Sequence, residues 1–429
     1  MAILSQLAFI SIVGLFSYLI VKRIQKIRSN IRFGRKNEIF PDPERWKNLF
    51  LLAFGQKKMF KKPIPAFLHL LIYVGFLLIN LEVLEILLDG FFGTHRVFAP
   101  WLPGSYAWAI SFFEILAVLV IVACLAFLFR RNIVKVQRFT RPEMKGWPAL
   151  DANLILVIEL TLMVAILCMN AADQLLQVQG HYVSTGKFLV SSLLIPLFEG
   201  FTPTQLMLLE RAAWWFHLVG ILAFALYVTY SKHLHIFMAF PNTYYGRLSM
   251  KGKMENMPEV THEVMLMLGL PVEGNKNPPA EGFRFGAKDV GDLSRKNLMD
   301  AYACTECGRC TASCPANLTG KKLSPRKVMM DTRDRMEELG MGIVEGKTLL
   351  GDYVTHEEVN ACTSCNACVE ACPVSINPLD IIVQMRRYIA MEESGSPAAW
   401  NAMFQNVETN FAPWKFPSQD RFSWAENIK

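Results

Sequence analysis

Long apolar stretches alternate with short polar ones in the first half of the chain, and the second half has the mixed pattern of a water-soluble segment. Five of the apolar stretches are about 20 residues long, the length that a helix needs to cross a bilayer. We expect membrane-spanning helices near 2–21, 64–88, 106–129, 152–172 and 212–232. A shorter apolar segment, 186–199, contains a proline and is expected to lie at the interface or to be half inserted.

Composition supports this division into two unlike parts. Hydrophobic residues make up 52% of the 429 residues and charged residues 19%, which is too apolar for a soluble protein and too polar for a membrane protein throughout. The net charge of +7 lies mainly in the loops after the first and third predicted helices, so it does not indicate a nucleic-acid partner. By the positive-inside rule, we expect the N-terminus outside and the C-terminal half in the cytoplasm.

Eight of the ten cysteines form two runs of identical spacing, C-x-x-C-x-x-C-x-x-x-C-P. The first run contains Cys304, Cys307, Cys310 and Cys314, and the second contains Cys362, Cys365, Cys368 and Cys372. This spacing is typical of bacterial ferredoxins with two 4Fe–4S clusters, in which the fourth cysteine of each run binds the other cluster. The expected ligand sets are therefore Cys304, Cys307, Cys310 and Cys372 for cluster one, and Cys362, Cys365, Cys368 and Cys314 for cluster two.

The remaining cysteine signals agree with that interpretation. Zinc is the alternative metal, but two four-cysteine runs with trailing prolines fit a zinc site poorly. Cys124 and Cys168 lie alone within apolar stretches and are expected to be buried thiols. Because nothing resembles a disulfide framework, the cysteine-rich part is predicted to lie in a reducing compartment.

Three histidines are candidate ligands of a haem in the membrane part. His217 and His235 are 18 residues apart and would share one face of a continuous helix, whereas His233 would point about 200° away, towards headgroups or solvent. His69 lies one turn into the second predicted helix, at the level of His235. A His69–His235 pair would hold one b-type haem, and no C-x-x-C-H motif for covalent attachment occurs. An interfacial role for each histidine is the alternative.

The other ionisable groups of the membrane part are less easily assigned. His217 lacks a histidine opposite it, because that neighbourhood of the second helix contains Ile79 and Asn80, so a quinone-binding or a packing role is expected. Carboxylates within membrane helices are candidates for proton transfer to and from a quinol. They are Glu82, Glu85, Glu114 and Glu159. For Glu82 and Glu85, simple contact with interfacial water is the alternative.

The segments "FLHLLIYVGF" and "WWFHLVGILAFALYVTYSKHLHIF" resemble the nitrate reductase gamma subunit and the cytochrome b subunit of membrane-bound heterodisulfide reductase. The resemblance implies a five-helix bundle, with His69 and His235 as ligands of the haem nearest the cytoplasm. It also matches His217 with a ligand of a second haem, whose other ligand would fall at Ile79. That departure from the family pattern leaves the second haem open.

The phrases "ACTECGRCTASCPANLTGKKLSPRKV" and "ACTSCNACVEACPVSINPLDIIVQMRRYIAMEE" are similar to the iron–sulfur segment of heterodisulfide reductases and related quinone-linked oxidoreductases of bacterial or archaeal inner membranes. Larger relatives continue into a domain with Cys-Cys-Gly motifs, and no Cys-Cys pair occurs in this sequence. The resemblance therefore implies a separate cytoplasmic partner subunit with such motifs. It also implies menaquinone or another quinone as the membrane substrate.

The sequence thus predicts a mainly α protein in which a five-helix transmembrane cytochrome b-like bundle precedes a cytoplasmic α-helical ferredoxin-type domain with two 4Fe–4S clusters. The expected divisions are a haem b domain at 1–235, a linker at 236–295, the ferredoxin-type domain at 296–395, and a tail at 396–429 that docks a partner. The expected function is electron transfer in a quinone-linked oxidoreductase complex, for example with an electron-transfer flavoprotein or as a heterodisulfide reductase-like protein.

Two other function classes are compatible with parts of the sequence. A redox sensor or assembly anchor would use the clusters to report redox state and the helices only as a tether. It requires no haem, and it leaves five helices with internal histidines unexplained. An ion-translocating subunit would depend on Glu159 within the fourth predicted helix.

Overall fold

The computed structural model describes residues 3–36, 39–249, 252–271, 283–343, 346–426 and 428. Within these ranges the chain is mainly helical, and its only β-type pairings are two isolated bridges, Arg35–Ser294 and Leu350–Val354. The helices are α1 Ile3–Ile31, α2 Pro43–Asn48, α3 Pro63–Phe92, α4 Tyr106–Asn132, α5 Trp147–Val178, α6 Pro203–Val228, α7 His235–Tyr244, α8 Pro258–Met267, α9 Arg295–Ala303, α10 Arg309–Ala312, α11 Pro315–Leu318, α12 Pro325–Gly340, α13 His356–Asn360, α14 Ala367–Ala371, α15 Pro378–Met391, α16 Ala398–Asn410 and α17 Ser423–Glu426.

Five of the described helices, α1, α3, α4, α5 and α6, are long and apolar enough to cross a membrane. They coincide with the five predicted spans, so the prediction of a helical membrane part is confirmed at this level. All five extend beyond the predicted spans at one or both ends, because polar ends can continue a helix past the hydrocarbon. At its other end, α6 stops at Val228, four residues before the predicted end at 232.

The predicted end of the fifth span was wrong for a local reason. After Val228 the chain makes a turn through Thr229 to Ser231, then one turn of 3₁₀-helix over Lys232–Leu234, and α7 begins at His235. The hydroxyl of Ser231 accepts a hydrogen bond from the His233 amide at 3.1 Å, a local cap that competes with helix continuation. The interval between His217 and His235 is therefore not a continuous helix.

Small residues mark the places where the membrane helices approach most closely. A Cβ atom added at Gly75 of α3 would lie 2.4 Å from a methyl group of Val120 in α4. One added at Gly220 of α6 would lie 2.7 Å from a methyl group of Leu162 in α5. Close approach over small residues is a common way for helices to associate in lipid, where apolar surface gains nothing by leaving the solvent.

The short apolar segment 186–199 is folded against the helices as irregular backbone. It contains two single turns of 3₁₀-helix, Ser191–Leu193 and Ile195–Leu197, and Phe188 is buried. The carboxylate of Glu114 accepts hydrogen bonds from the amides of Val190 and Ser191 at 2.8 and 3.1 Å. Irregular backbone at membrane depth is tolerated where protein groups satisfy it in this way.

The cysteine-rich part has its own core, and the membrane part enters it directly. Ile27 near the end of α1 and Leu234 before α7 belong to the buried cluster formed by α9, α12 and α15. The Arg23 guanidinium makes a paired contact with Glu337 of α12, at 2.6 and 2.9 Å. The Arg35 amide donates to the Leu293 carbonyl at 2.8 Å.

The linker and the tail predicted from the sequence differ in how they pack. Within the linker 236–295, helix α7 packs against α9 of the cysteine-rich part, and residues 272–282 lie outside the described residues. In the tail 396–429, α16 and the segments that follow it are largely exposed, and residues 427 and 429 are not described. The exposed aromatic side chains of this tail are Trp400, Phe404, Phe411, Trp414, Phe416, Phe422 and Trp424.

Candidate functional site

The two cysteine runs adopt the same backbone conformation. Glu306 and Ser364 occupy equivalent positions, and both have φ of +54°. Gly308 and Asn366 are equivalent too, with φ of +70° and +60°. Residues with positive φ bend the chain sharply and direct successive amides towards one side, which suits a loop around a metal cluster. Each loop then leads into a short helix, α10 or α14.

The structure brings the cysteines together across the two runs. Burial raises the pKa of Cys310, and the neighbouring thiols of Cys304 and Cys307 raise it further, followed by those of Cys372 and Cys368. Cys372, from the second run, therefore lies beside thiols of the first.

The reciprocal crossing is also present. Burial raises the pKa of Cys368 to about 12, and the next contributions come from Cys362 of its own run and Cys314 of the first run. Burial likewise raises the pKa of Cys372 to about 11, with Cys307 as the next cause. Because iron binds thiolates, metal binding would have to release protons from these buried thiols.

The arrangement of the cysteines also distinguishes a zinc site from a 4Fe–4S site. Among the described residues, no three His, Cys, Asp or Glu side chains converge closely enough to share one metal ion. A zinc ion would require sulfur atoms about 2.3 Å from a common centre. A four-iron cube binds each cysteine sulfur at a different corner, so it accepts cysteine sulfurs that lie farther apart. Two runs of four cysteines, each with a trailing proline, are the spacing of 4Fe–4S proteins and fit zinc poorly.

His69 of α3 and His235 of α7 face each other. Their ring centroids lie 6.4 Å apart, with 41° between the ring planes. Two imidazoles bound on opposite sides of one metal ion, each with a bond of about 2 Å, would have centroids about 6 Å apart. The separation therefore suits one metal ion between the rings.

Both histidines have one ring nitrogen engaged and one available. The Nδ1 atom of His69 lies 3.0 Å from Oε1 of Gln56, and that of His235 lies 3.2 Å from the Lys232 carbonyl oxygen. Such partners fix the ring orientation and the tautomer, and they leave Nε2 for a metal. Gln56 is itself buried and has φ of +49°.

The expectation that His233 meets headgroups or solvent was wrong. Its ring packs against Phe224 at 5.6 Å and against His235 at 5.2 Å, and Nε2 lies 3.5 Å from Oε1 of Glu159. The helical-wheel argument failed because the chain turns after Val228, and this turn directs His233 back towards the bundle.

His217 is fully buried and lies apart from the His69–His235 pair. Its Nδ1 lies 3.1 Å from the Leu162 carbonyl oxygen, and its Nε2 has no hydrogen-bond partner among the described residues. The ring borders a cavity of about 260 Å³ between α3, α4, α5 and α6, which Ile79 and Glu159 also line. Thus His217 and Ile79 border the same cavity, as the sequence indicated, and none of the other described histidines lines it.

The carboxylates Glu82, Glu85 and Glu114 do not meet interfacial water, because each is at most 3% exposed. They belong to a buried polar network near the end of the bundle remote from the cysteines. Arg96 is its centre, with contacts to Asp173 at 2.9 Å and Glu82 at 3.6 Å. The hydroxyl of Tyr106 donates to Glu85 at 2.6 Å. The apolar sequence pattern of each separate helix does not predict so many paired charges.

Cys124 and Cys168 differ in environment. Cys124 is fully buried, and its sulfur lies 3.9 Å from Glu159. Cys168 is only partly buried, so the expectation of a buried thiol was correct for Cys124 alone.

Lys232 joins the His69–His235 pair to the first cysteine run, and sequence reasoning missed it. Its ammonium donates to Glu306 at 2.5 Å and to the Pro148 carbonyl at 2.6 Å. Its own carbonyl oxygen is the partner of His235 Nδ1. Arg333 makes a second contact with Glu306, at 2.8 Å. The sequence signal for this contact is Glu306, a charged residue between the first two cysteines of the first run. The second run has a serine at the equivalent position.

Two further contacts from the loop before α3 reach the second run. Lys58 donates to the Cys372 carbonyl at 3.3 Å, and Lys61 pairs with Glu370 at 2.6 Å. The same loop contains Gln56, the partner of His69. One loop of the membrane part therefore contacts both the histidine pair and a cysteine expected to bind cluster one.

Comparisons with known proteins agree with the cysteine pattern. Residues 303–376 match the family described as a 4Fe-4S dicluster domain, and this range contains all eight cysteines of the two runs. The prediction of a C-terminal 4Fe–4S domain is thereby confirmed. No solved structure is significantly similar to the chain.

Several curated proteins are similar to this chain. One is the "Probable iron-sulfur-binding oxidoreductase FadF" of Bacillus subtilis (strain 168), 27% identical over 99% of this chain and 61% of its own length. Another is the "EtfAB:quinone oxidoreductase" of Syntrophomonas wolfei, 25% identical over 88% of this chain and 53% of its own length. A third is one of the subunits of the "Ferredoxin/F(420)H(2)-dependent CoB-CoM heterodisulfide reductase" of Methanosarcina acetivorans, 33% identical over 25% of this chain and 56% of its own length.

These names confirm the predicted class, because the relatives are oxidoreductases or subunits of oxidoreductases that act in electron transfer. The resemblance to heterodisulfide reductase iron–sulfur subunits is also confirmed, and the resemblance to a cytochrome b subunit stays a prediction. The chain spans between half and two thirds of the length of the Bacillus and Syntrophomonas relatives.

Proposed function

We propose that this chain is the membrane-anchored electron-transfer subunit of a quinone-linked oxidoreductase complex. The proposal is supported by five helices suited to a membrane, by a 4Fe–4S domain that packs directly on them, and by relatives named for electron-transfer chemistry. When bound, 4Fe–4S clusters and a b-type haem carry single electrons and do not bind substrate at a fully ligated iron.

Two clusters are proposed, one for each set of neighbouring thiols. Cluster one is assigned to Cys304, Cys307, Cys310 and Cys372, and cluster two to Cys362, Cys365, Cys368 and Cys314. The support is the crossing of Cys372 and Cys314 between the runs. The positive φ values at equivalent loop positions add to it.

One b-type haem is proposed between His69 and His235. Their separation suits a single metal ion, and because their Nδ1 atoms have acceptors, their Nε2 atoms are left for the metal. No haem is assigned to His217, because none of the other described histidines borders its cavity.

The orientation proposed from the positive-inside rule has the N-terminus outside and the cysteine-rich part in the cytoplasm. In this orientation His69 and His235 lie near the cytoplasmic end of the bundle. Electrons would then enter or leave the chain on the same side as a cytoplasmic partner, and a quinone in the membrane would be the other reactant.

The partner is proposed to be a soluble redox protein with Cys-Cys-Gly motifs, docked through the exposed aromatic tail at 396–429. Electron-transfer flavoprotein:quinone chemistry is one version of the complex, supported by the name of the Syntrophomonas relative. Heterodisulfide reductase-like chemistry is the other, supported by the similarity to the Methanosarcina relative.

The observation that carries the proposal is the joint at Lys232. This one residue binds Glu306 of the first cysteine run through its ammonium and His235 through its carbonyl oxygen. The two candidate redox sites are therefore neighbours within one folded unit. A tether without electron transfer would not need this arrangement.

The test is to measure haem, non-haem iron and acid-labile sulfide per chain in detergent-purified wild-type protein and in His235→Ala. We expect one b haem with eight iron and eight sulfide, and a variant that loses the haem but keeps the iron and sulfide. His181→Ala, at an exposed histidine, is the matched control and should retain everything.

Other results would change the assignment in defined ways. Two haems would mean that His217 has found an axial partner. No haem in the wild-type protein would contradict the quinone-linked function and would favour the redox sensor or assembly anchor. A charge-translocating role would require ion flux in proteoliposomes that Glu159→Gln abolishes without changing the haem.

A further inference from the structure

The cavity beside His217 has a polar end that the proposed electron path does not use. Its lining covers residues 72–83 of α3 and 217–228 of α6, and each range is about 16 Å long on a helix. Because these two helices run antiparallel as the second and fifth spans, one end of the cavity adjoins Ile72 and Val228 and the other adjoins Val83 and His217. The His69–His235 pair lies near the first end.

The hydrogen-bonding state of His217 can be worked out from its neighbours. The Leu162 carbonyl oxygen can only accept, so the Nδ1 atom 3.1 Å away must donate, and Nδ1 holds the proton. A neutral imidazole then has a bare lone pair on Nε2. Within the part of the chain that the structure describes, this buried atom has no hydrogen-bond partner, although His217 borders the cavity. A ligand bound at this end should therefore present a donor to Nε2.

The rest of the lining defines the ligand further. Most of the lining is aliphatic or aromatic, including Phe76 and Phe224, and its other polar residues, among those that the structure describes, are Asn80 and Glu159. An apolar cavity of about 150 Å³ can hold a benzene ring, so about 260 Å³ has room for one or two fused rings. A flat hydroxylated aromatic group with its hydroxyl on His217 satisfies both requirements.

We propose that this end of the cavity binds the head group of a quinol, with one quinol hydroxyl donating a hydrogen bond to Nε2 of His217. The inference rests on the proposed function, for which it names the quinol site. It gives His217 a role in binding substrate instead of a second haem. It also accounts for Ile79, which lines the cavity and offers no ligand atom.

The site predicts a preference for the hydroxylated form of a ring. The redox-inert probes 1-naphthol and 1-methoxynaphthalene share one scaffold and differ in the donor hydrogen. In nanodiscs containing the full chain, we expect naphthol to bind about tenfold more tightly, as one buried hydrogen bond would provide. His217→Leu should abolish this preference, and His181→Leu, at an exposed histidine, should preserve it.

A second variant keeps the test valid if His217→Leu does not fold. Ile221→Trp fills the cavity from α6 and keeps the His217 side chain, and it should weaken binding of both probes. The absorbance of the haem proposed between His69 and His235 reports on folding in every variant.

The site is contradicted if the wild-type protein shows no preference, or if the preference survives in His217→Leu. It is also contradicted if that variant loses one of two haems, since His217 would then be a metal ligand, with the Met163 thioether as the candidate partner. Electron transfer from menadiol to the wild-type protein tests the proposed function separately. If that transfer is absent while the naphthol preference holds, the proposed function fails and the site remains.

Discussion

The two cysteine runs share a sequence pattern and a backbone conformation, yet they have different surroundings. The first run faces the membrane part: Glu306 binds Lys232, and Gly308 packs against Arg326. The second run is more exposed, and Cys365 is the one exposed cysteine among the described residues. Ligand spacing thus specifies what each loop can bind, and the residues between the ligands specify what each loop contacts.

Two arginines show how this difference arises. Arg326 follows the first run, is fully buried, and donates to the Arg138 carbonyl at 2.6 Å and to Glu143 at 2.7 Å, both in the loop after α4. Arg386 follows the second run and donates to the carbonyl oxygens of Val359, Asn360 and Cys362 within its own segment. Arg326 therefore connects the cysteine-rich part to the loop after α4, whereas Arg386 binds carbonyl groups within the cysteine-rich part.

Exchanging the residues with positive φ should give the largest effect. A Cβ at Gly308 would lie 2.4 Å from Nη1 of Arg326, so Gly308→Asn must displace a buried guanidinium from Arg138 and Glu143. Breaking a buried pair costs about 3–5 kcal/mol. Thermal loss of cluster absorbance should therefore occur at a clearly lower temperature in Gly308→Asn.

The matched exchange in the second run is Asn366→Gly, which the backbone at φ of +60° accepts. It should lower the free energy of unfolding by about 1 kcal/mol or less, because glycine gives the unfolded chain more conformational freedom. Equal losses in the two variants would contradict the distinction between the runs.

Removing the charge between the first two cysteines should have the next largest effect. Glu306→Gln leaves the buried Lys232 ammonium without its 2.5 Å carboxylate partner, a loss of about 2 kcal/mol. Its counterpart, Ser364→Ala, removes a weaker contact with Arg386 at 3.3 Å and should change stability by about 0.5 kcal/mol or less. Chemical denaturation followed by cluster absorbance checks both. A Glu306→Gln variant as stable as Ser364→Ala would mean that the Lys232 joint contributes little.

Acid should weaken the contact of the first run with the membrane part. Burial alone would raise the pKa of Glu143, but the Arg326 guanidinium outweighs it and lowers that pKa. A lowered pKa in the folded state means that the carboxylate stabilises the fold above its unfolded pKa of about 4.3 and loses this contribution as the pH falls through the folded value.

Glu143→Gln should accordingly be less stable than the wild-type protein at pH 7, and the difference should shrink in acid. Thermal denaturation between neutral and acidic pH measures this convergence. Ser364→Ala is the control, because Arg386 binds groups that do not titrate, and its difference from the wild-type protein should stay constant. A Glu143→Gln difference that is independent of pH would argue against the ion pair.

The smallest effect is expected in the rate of iron loss. Because Cys365 is exposed and the cysteines of the first run are at least partly buried, a chelator or mild oxidant should reach iron bound by the second set first. We expect two phases of iron release from the wild-type protein, the faster one for cluster two. A single phase would indicate that the two sets are equally accessible.

The sequence by itself determined the parts of this protein that depend on local pattern. Five apolar stretches of membrane length predict five helices, because a bilayer leaves few other ways to satisfy the backbone. The cysteine spacing predicts the 4Fe–4S domain, since cluster ligands must follow a loop of fixed length. The ligand roles of His69 and His235 remain predictions, although the structure brings their rings together.

Only the tertiary structure decided how these parts meet. A turn after Val228 breaks the helix that the His217–His235 interval assumed, and this turn directs His233 to Glu159 instead of to solvent. Lys232 becomes a joint because Glu306, 74 residues away, folds against it. Sequence periodicity describes one helix at a time. The partner of a buried charge depends on which residues tertiary packing places next to it.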